Sequence, residues 1–393
     1  MKDDVPVPHG EKAASLLTIA REWTKLGFIG FGGPPTHIVL LRRLCVEERR
    51  WLEPEEFEDA IAATNLLPGP ASTQLAIFCA WKLRRARGAI VGGLGFILPG
   101  LAMIIALSAV FLAKHPPIGV LGAAAGAGAV VPAVALNASL GLVPGSWQRI
   151  ASLRAPRLRW VLYAVAGGVS SALFGQYLVV TLIICGLLEI LIRRRGTPGA
   201  TSLSRSLLIG AAHSTAMGGL AALSWEALKV GALSYGGGFV IVPLMQHDAV
   251  STYHWMSGPQ FLNAVALGQV TPGPVVQTVS VVGYAAAGIG GALLAAALAF
   301  APSFGFVLAG GPRFGRIRQN STVQNFLLGA GPAVVGAIAG SAIPLGLSLH
   351  LYWQIPVLAV ALVWLLVARW SVVSCLLAGG AVGAVLSLVG VHV

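Results

Sequence analysis

The sequence predicts an all-α polytopic membrane protein made of two inverted-topology repeats, with broken or re-entrant helices at its Pro-Gly-Pro and Gly-Gly motifs. Composition is the first reason. Of 393 residues, 56% are hydrophobic and only 10% charged, well short of the quarter that keeps a soluble domain in water. Length is the second. The uncharged runs 90–113, 119–143, 323–349 and 371–391 each reach or exceed the roughly 20 residues that cross a bilayer. Duplication is the third. Glu22, Lys25, Gly27, Gly32-Gly33, Trp51, Phe57 and Pro68-Gly69-Pro70 recur as Glu226, Lys229, Gly231, Gly236-Gly237, Trp255, Phe261 and Pro272-Gly273-Pro274, each pair 204 residues apart. Interrupted apolar segments that occur twice point to a transporter whose site lies between the repeats.

Taken in order, the first 22 residues are polar and lack the apolar core of a signal peptide. Segments 24–41 and 60–81 come next, each readable as a full span or as a re-entrant hairpin folded at its Gly/Pro break. The run from Trp160 to Ile192 reads as two short helices turning near Gly175-Gln176. A helix over 206–223 has no counterpart in the first copy, and one extra crossing there inverts the second copy. A helix pair around Arg369 closes the chain. The organisation expected is therefore an N-terminal repeat at 1–192, a linker with the inverting helix at 193–223, and a C-terminal repeat at 224–393.

The net charge of +12 does not point to nucleic acid, because the cations lie in short clusters between spans. Short basic loops stay cytoplasmic. Lys82 to Arg87, Arg149 to Arg159 and Arg193 to Arg195 mark that side in the first repeat. The stretch equivalent to Lys82–Arg87 is the uncharged 286–291, and Arg313, Arg316 and Arg318 fall near the equivalent of Lys114. Matching loops thus differ in charge as inversion requires. The N-terminus is expected in the cytoplasm and the C-terminus outside, in the inner membrane.

The 50 glycines sit within apolar segments, where small residues let helices approach closely, as Gly122-x-x-x-Gly126 suggests. Gly88-x-x-x-Gly92 follows no strand, which favours packing over dinucleotide binding. Cys45, Cys79, Cys185 and Cys375 are isolated and form no metal or redox motif.

The breaks carry the candidate chemistry. A helix must stop at Pro68 and Pro272, and proline suits the first turn of the restarted helix, from about Pro70 and Pro274. Glycines at 69 and 273 permit the turn. Such helix ends present free N–H groups to an anion. Around them lie Asn65, Ser72, Thr73 and Gln74 in one copy, and Gln269, Thr271, Gln277 and Thr278 in the other. In register, Thr73-Gln74 faces Gln277-Thr278, the same groups in swapped order. Substrate contact by at least some of them is expected, with helix capping and interhelical hydrogen bonding the alternative. Lys25 and Lys229, seven residues before each Gly-Gly, would flank one dianion, or else snorkel beside Glu22 and Glu226 as local ion pairs. His37 and Arg42 follow the first break only.

At Phe31-Gly32-Gly33-Pro34, Leu67-Pro68-Gly69-Pro70-Ala71-Ser72, Tyr235-Gly236-Gly237-Gly238 and Thr271-Pro272-Gly273-Pro274, the chain resembles the chromate ion transporter family in its long, two-domain form. The resemblance spans most of residues 15 to 390. It implies export of chromate, a tetrahedral dianion similar to sulfate, with chromate resistance as the result. Family members with a single repeat work in pairs, which fits the duplication and leaves a homodimer open. The resemblance also raises the standing of His37 and Arg42, and places Lys25 where the family commonly has Arg. The expected partners are such a dianion and the lipid bilayer. No flavin, haem, nicotinamide or P-loop signature is present, so no cofactor and no enzyme activity are expected. A sulfate or general oxyanion permease is the nearest alternative, a membrane oxyanion reductase or an anion channel the more distant ones.

Overall fold

The computed structural model describes residues 14–65, 67, 69–151, 157–194, 219–234, 238–310 and 320–392, with no strand among them. The first half comprises α1 (Leu16–Ile29), α2 (Pro34–Arg42), α3 (Pro54–Thr64), α4 (Ala71–Phe111), α5 (Ile118–Ala151), α6 (Arg157–Leu173) and α7 (Leu178–Arg194). The second comprises α8 (Gly219–Leu233), α9 (Val242–Gln246), α10 (Gly258–Val270), α11 (Thr278–Gly310), α12 (Ser321–Leu347), α13 (Gln354–Leu362) and α14 (Val372–Leu388). Among the described residues four helices are long and apolar enough to cross a membrane: Ala71–Phe111, Ile118–Ile150, Val275–Gly310 and Ser321–Leu347. This is an all-α membrane protein.

Two of those helices are hairpins rather than rods. In α4 the helical geometry fails at Arg84 and Arg85, and the chain doubles back. The reversal is tight enough that a Cβ on Gly88 would meet the Ala80 carbonyl at 2.2 Å. The long arm, 86–111, rises about 39 Å and the short arm, 71–83, about 20 Å. Only the long arm is able to cross a core roughly 30 Å thick. In α11 the same reversal occurs at Ala287 and Gly288, with Gly291 against the Gly283 carbonyl.

The α1–α2 pair is a second hairpin. Ser15 caps α1 by accepting from the Thr18 N–H at 3.0 Å. Beyond Ile29 the chain turns through Gly32 and Gly33, both at positive φ, and Pro34 opens α2. A π-helical turn, Arg43–Glu48, ends the return leg and brings Trp51 onto Trp23, ring centroids 6.2 Å apart. Beside it α3 begins with a capping box of Glu53 and Glu56. It climbs to Thr64, and the short arm of α4 descends to set Lys82 at 3.2 Å from Glu56. Segment 24–41 is therefore two helices, α1 and α2, and segment 60–81 is divided between α3 and the short arm of α4. The second half repeats this backbone, with a π turn at His247–Thr252 and a capping box of Ser257 and Gln260.

Register changes once within the repeat. The glycines at positive φ, Gly69 and Gly273, lie 204 apart, whereas the hairpin turns at Arg85 and Gly288 lie 203 apart. The second copy is one residue shorter between them. A 3₁₀ turn, Val275–Gln277, opens its helix where the first copy is α-helical from Ala71. Rising about 2.0 Å per residue, it covers the distance with fewer residues. Gln277 consequently stands where Gln74 does, which corrects the swapped pairing of Thr73-Gln74 with Gln277-Thr278.

The long arms cross antiparallel. Gly93, early in its arm, packs on the Phe304 ring, and Val307 beyond it is buried in the first half's core with Trp23, Ile77 and Ala89. Outside them, α14 lies along α5 through Gly122, Gly126, Gly379 and Gly383, and α6 lies along α12 through Gly167, Gly336 and Gly340. Each half's terminal hairpin thus wraps the other half's long helix.

Residues 157–194 form two helices joined by a 3₁₀ turn at Gly175–Tyr177, as predicted. The span expected over 371–391 is instead the 17-residue α14, paired with α13 across Arg369 at positive φ. Gly219 to Leu223 are continuous with α8 and match the start of α1; residues 206–218 of the expected inverting helix lie outside the described residues.

Candidate functional site at the meeting of the hairpin tips

Breaks of the two halves meet one another. The Gly30 carbonyl accepts from the Gly273 N–H at 2.9 Å and from His37 Nε2 at 2.9 Å. A carbonyl only accepts, so Nε2 carries the hydrogen, and in the neutral ring Nδ1 accepts from Ser72 Oγ at 3.1 Å. His37 is buried edge-on to Phe96. In the reciprocal contact, a Cβ on Gly69 would lie 3.4 Å from both the Gly231 carbonyl and Ser303 Oγ. Gln277 Nε2 donates to the Ile97 carbonyl at 2.9 Å, binding the second Pro-Gly-Pro to the first half's long arm.

Polar groups gather at the tips beyond what the fold satisfies. Thr73 Oγ1, Gln269 Nε2, Gln277 Oε1, Ser280 Oγ and Ser303 Oγ are buried without a hydrogen-bond partner. Each such group costs about 1–3 kcal/mol. Thr271 and Thr278 turn their hydroxyls back on the backbone, to the Leu267 and Val275 carbonyls. Pro70 and Pro274 sit at the N-caps of the restarted helices, whose first N–H groups have no intrahelical acceptor.

A cavity of about 150 Å³ lies against the first tip. Thr64, Asn65, Leu67, Gly69 and Ala71 line one side, with Ser146 and Arg149 of α5 and Gly331 of α12 on the others. Asn65 is exposed there, whereas its counterpart Gln269 is buried, as is Thr271. Two copies of one motif thus occupy unequal surroundings.

The charged candidates lie apart from this cavity. Lys25 is exposed on α1 and Glu22 pairs with Arg49 instead. Arg42 pairs at the surface with Glu58 and reaches Glu47 at 3.9 Å. Lys229 is held by Glu226 at 2.7 Å and by Asp248. Pro68, Gly236 and Gly237 lie outside the described residues. Sequence reasoning missed Ser146 and used Arg149 only as a topology marker. Nothing in spacing links α5 to the first tip; the signal was a serine one turn before an arginine at the end of an apolar helix. Asp248, which reads in sequence as a solvated span end, is buried against Lys229.

The family model described as chromate transporter matches residues 17–190 and 221–384, two segments that begin 204 residues apart. The chain belongs to the chromate transporter family. It is 29% identical over 347 residues to a chromate transport protein of Cupriavidus metallidurans, covering 86% of this chain and 84% of that one. To a probable chromate transport protein of Synechococcus elongatus it is 29% identical over 388 residues, 94% of each. To a chromate transport protein of Pseudomonas aeruginosa it is 30% identical over 338 residues, 82% of this chain and 79% of that one. No solved structure matches the chain. The protein is a multi-pass membrane transporter, not an enzyme.

Proposed function

We propose that the protein carries chromate out of the cell by alternating access, the two sets of tips forming one oxyanion site between inverted repeats of the inner membrane. The observation that carries this reading is the inequality of two duplicated breaks. Asn65 lines an open cavity while Gln269 is sealed, as expected of a carrier caught open to one side. The antiparallel long arms support the inverted arrangement. Arg149 lines the cavity, and its cluster with Arg157 and Arg159 marks the cytoplasmic side by the positive-inside rule.

In this account the anion enters beside Arg149 and exchanges water for Asn65, Thr64 and Ser146. It then meets the N–H groups of the restarted helix and the hydroxyl of Thr73. Helix ends and neutral donors suit a substrate that must also leave, because no buried cation among the described residues of the tips holds it. A cytoplasm negative by 100 mV favours exit of a dianion by about 4.6 kcal/mol. Export therefore proceeds downhill at modest outward gradients, whereas uptake needs a coupled ion.

Purified protein in liposomes loaded with labelled chromate should release it faster with an interior-negative voltage. Loss of release in the Thr73→Val variant, with folding intact, would support the site. Chromate flux that sulfate fully suppresses at equal concentration would favour a general oxyanion carrier. Absence of chromate flux under any voltage would overturn the reading.

A further inference from the structure

Away from the cavity, the second half gathers three ionisable groups, two buried carboxylates and a half-buried lysine. Lys229 Nζ lies 2.7 Å from Glu226 Oε2 and also bonds Asp248 Oδ2. Glu226 is wholly buried, and its Oε1 has no hydrogen-bond partner. One ammonium thus faces two carboxylates. Leaving a buried net negative charge would be costly, and a single proton shared between the acids removes it.

The first half provides an internal comparison. Glu22 corresponds to Glu226 and is balanced one-to-one by Arg49. Leu44 stands where the second half has Asp248, Tyr253 replaces Arg49, and Lys25 is exposed where Lys229 is held. The surplus carboxylate is therefore peculiar to one half and not required by the fold. Among the described residues, the ionisable groups facing the acid pair are Lys229 from α8 and His247, beside Asp248 on the π turn. From α11, packed along α8, comes no Asp, Glu, Lys, Arg or His between Thr278 and Gly310.

The geometry points to Glu226 and Asp248 as a proton-binding site, in which the pair holds one proton in the conformation seen here and loses it when α8 moves. Glu226 lies five residues before Gly231, whose carbonyl faces Gly69 at the tips. A displacement of α8 that opens the sealed tip therefore also disturbs the pair. Lys229 already fills the place a metal cation would take, so a proton is the ligand assigned. This rests on the transport reading above but has an observable that does not require transport.

Infrared spectra of the purified protein in lipid, taken across a pH series, should show a protonated-carboxyl C=O band that titrates. Glu226→Gln or Asp248→Asn should remove or shift it, and Glu55→Gln, at an exposed position, should not. In liposomes carrying an internal pH dye, chromate movement should be accompanied by proton movement, and Glu226→Gln should abolish the proton movement. Absence of the band from the wild type, or its persistence unchanged in both variants, overturns the site. Chromate flux without proton movement overturns its role in coupling. Presence of the band without any chromate flux sinks the transport reading and leaves the site standing.

Discussion

Gly273 donates its backbone N–H to the carbonyl of Gly30 at 2.9 Å, so that a break in one half is hydrogen-bonded directly to a break in the other. The contact depends on the φ of 103° at Gly273, mirrored by 117° at Gly69. A side chain in such a conformation is strained by about 1–3 kcal/mol. Gly69→Ala faces in addition the Gln74 amide at 2.5 Å. Gly69→Ala and Gly273→Ala should each lower chromate flux at least about tenfold, a factor worth roughly 1.4 kcal/mol. Gly305→Ala, with nothing within 4 Å of its Cβ, should leave flux unchanged. Flux in liposomes at matched protein content checks all three.

Gly231 brings α8 close against the long arm of α11: a Cβ there would come 2.0 Å from the Ala299 carbonyl. Backbone cannot rotate away as a side chain would, and overpacking typically costs about 1–3 kcal/mol. Gly231→Ala should lower thermal stability in detergent, and Gly231→Val more so. Gly27, its counterpart against the Phe96 carbonyl at 2.8 Å, should respond less.

Much of this was legible in the residues. Repeated Glu-x-x-Lys-x-Gly and Pro-Gly-Pro words named the breaks, because only a chain that must stop a helix puts Pro beside Gly in an apolar run. The turn near Gly175 was legible because a run from Trp160 to Ile192 exceeds one ordinary helix. Pairing Gln74 with Thr278 failed because a 3₁₀ turn and an α-helical turn consume different numbers of residues, which sequence alone does not reveal. The reversal within the 41-residue α4 was legible too, because the basic cluster Lys82 to Arg87 separates the apolar stretches 60–81 and 90–113, although neither Arg84 nor Arg85 is a Gly or Pro. Arg149 could be placed at the first tip only by packing α5 against it.

Among the described residues, Arg149 supplies the one positive charge lining the cavity. A hydrogen bond to a charged group is worth about 1.5–3 kcal/mol. Arg149→Gln should therefore raise the half-saturating chromate concentration about tenfold to a hundredfold. Its maximal rate and thermal stability should change little, since the side chain is exposed. Concentration-dependent flux in liposomes separates the two parameters.

His37 joins the Gly30 carbonyl to Ser72 and so fixes the first Gly-Gly turn against the restarted helix. His37→Ala strands the buried Ser72 hydroxyl, at about 1–3 kcal/mol, and leaves the Gly30 carbonyl with the Gly273 N–H alone. It should reduce stability and flux together. His37→Gln, which keeps a donor and an acceptor, should recover part of both. Stability recovered without any flux would mean that the ring itself touches substrate.

Side-specific labelling of single cysteines at Asn65 and Gln269, in a background lacking the four native cysteines, tests the central claim most directly. An impermeant thiol reagent should reach Asn65→Cys only from the cytoplasmic side. It should reach Gln269→Cys only from the opposite side, with chromate altering the two reactivities in opposite directions. Labelling of both positions from the same side would contradict the account.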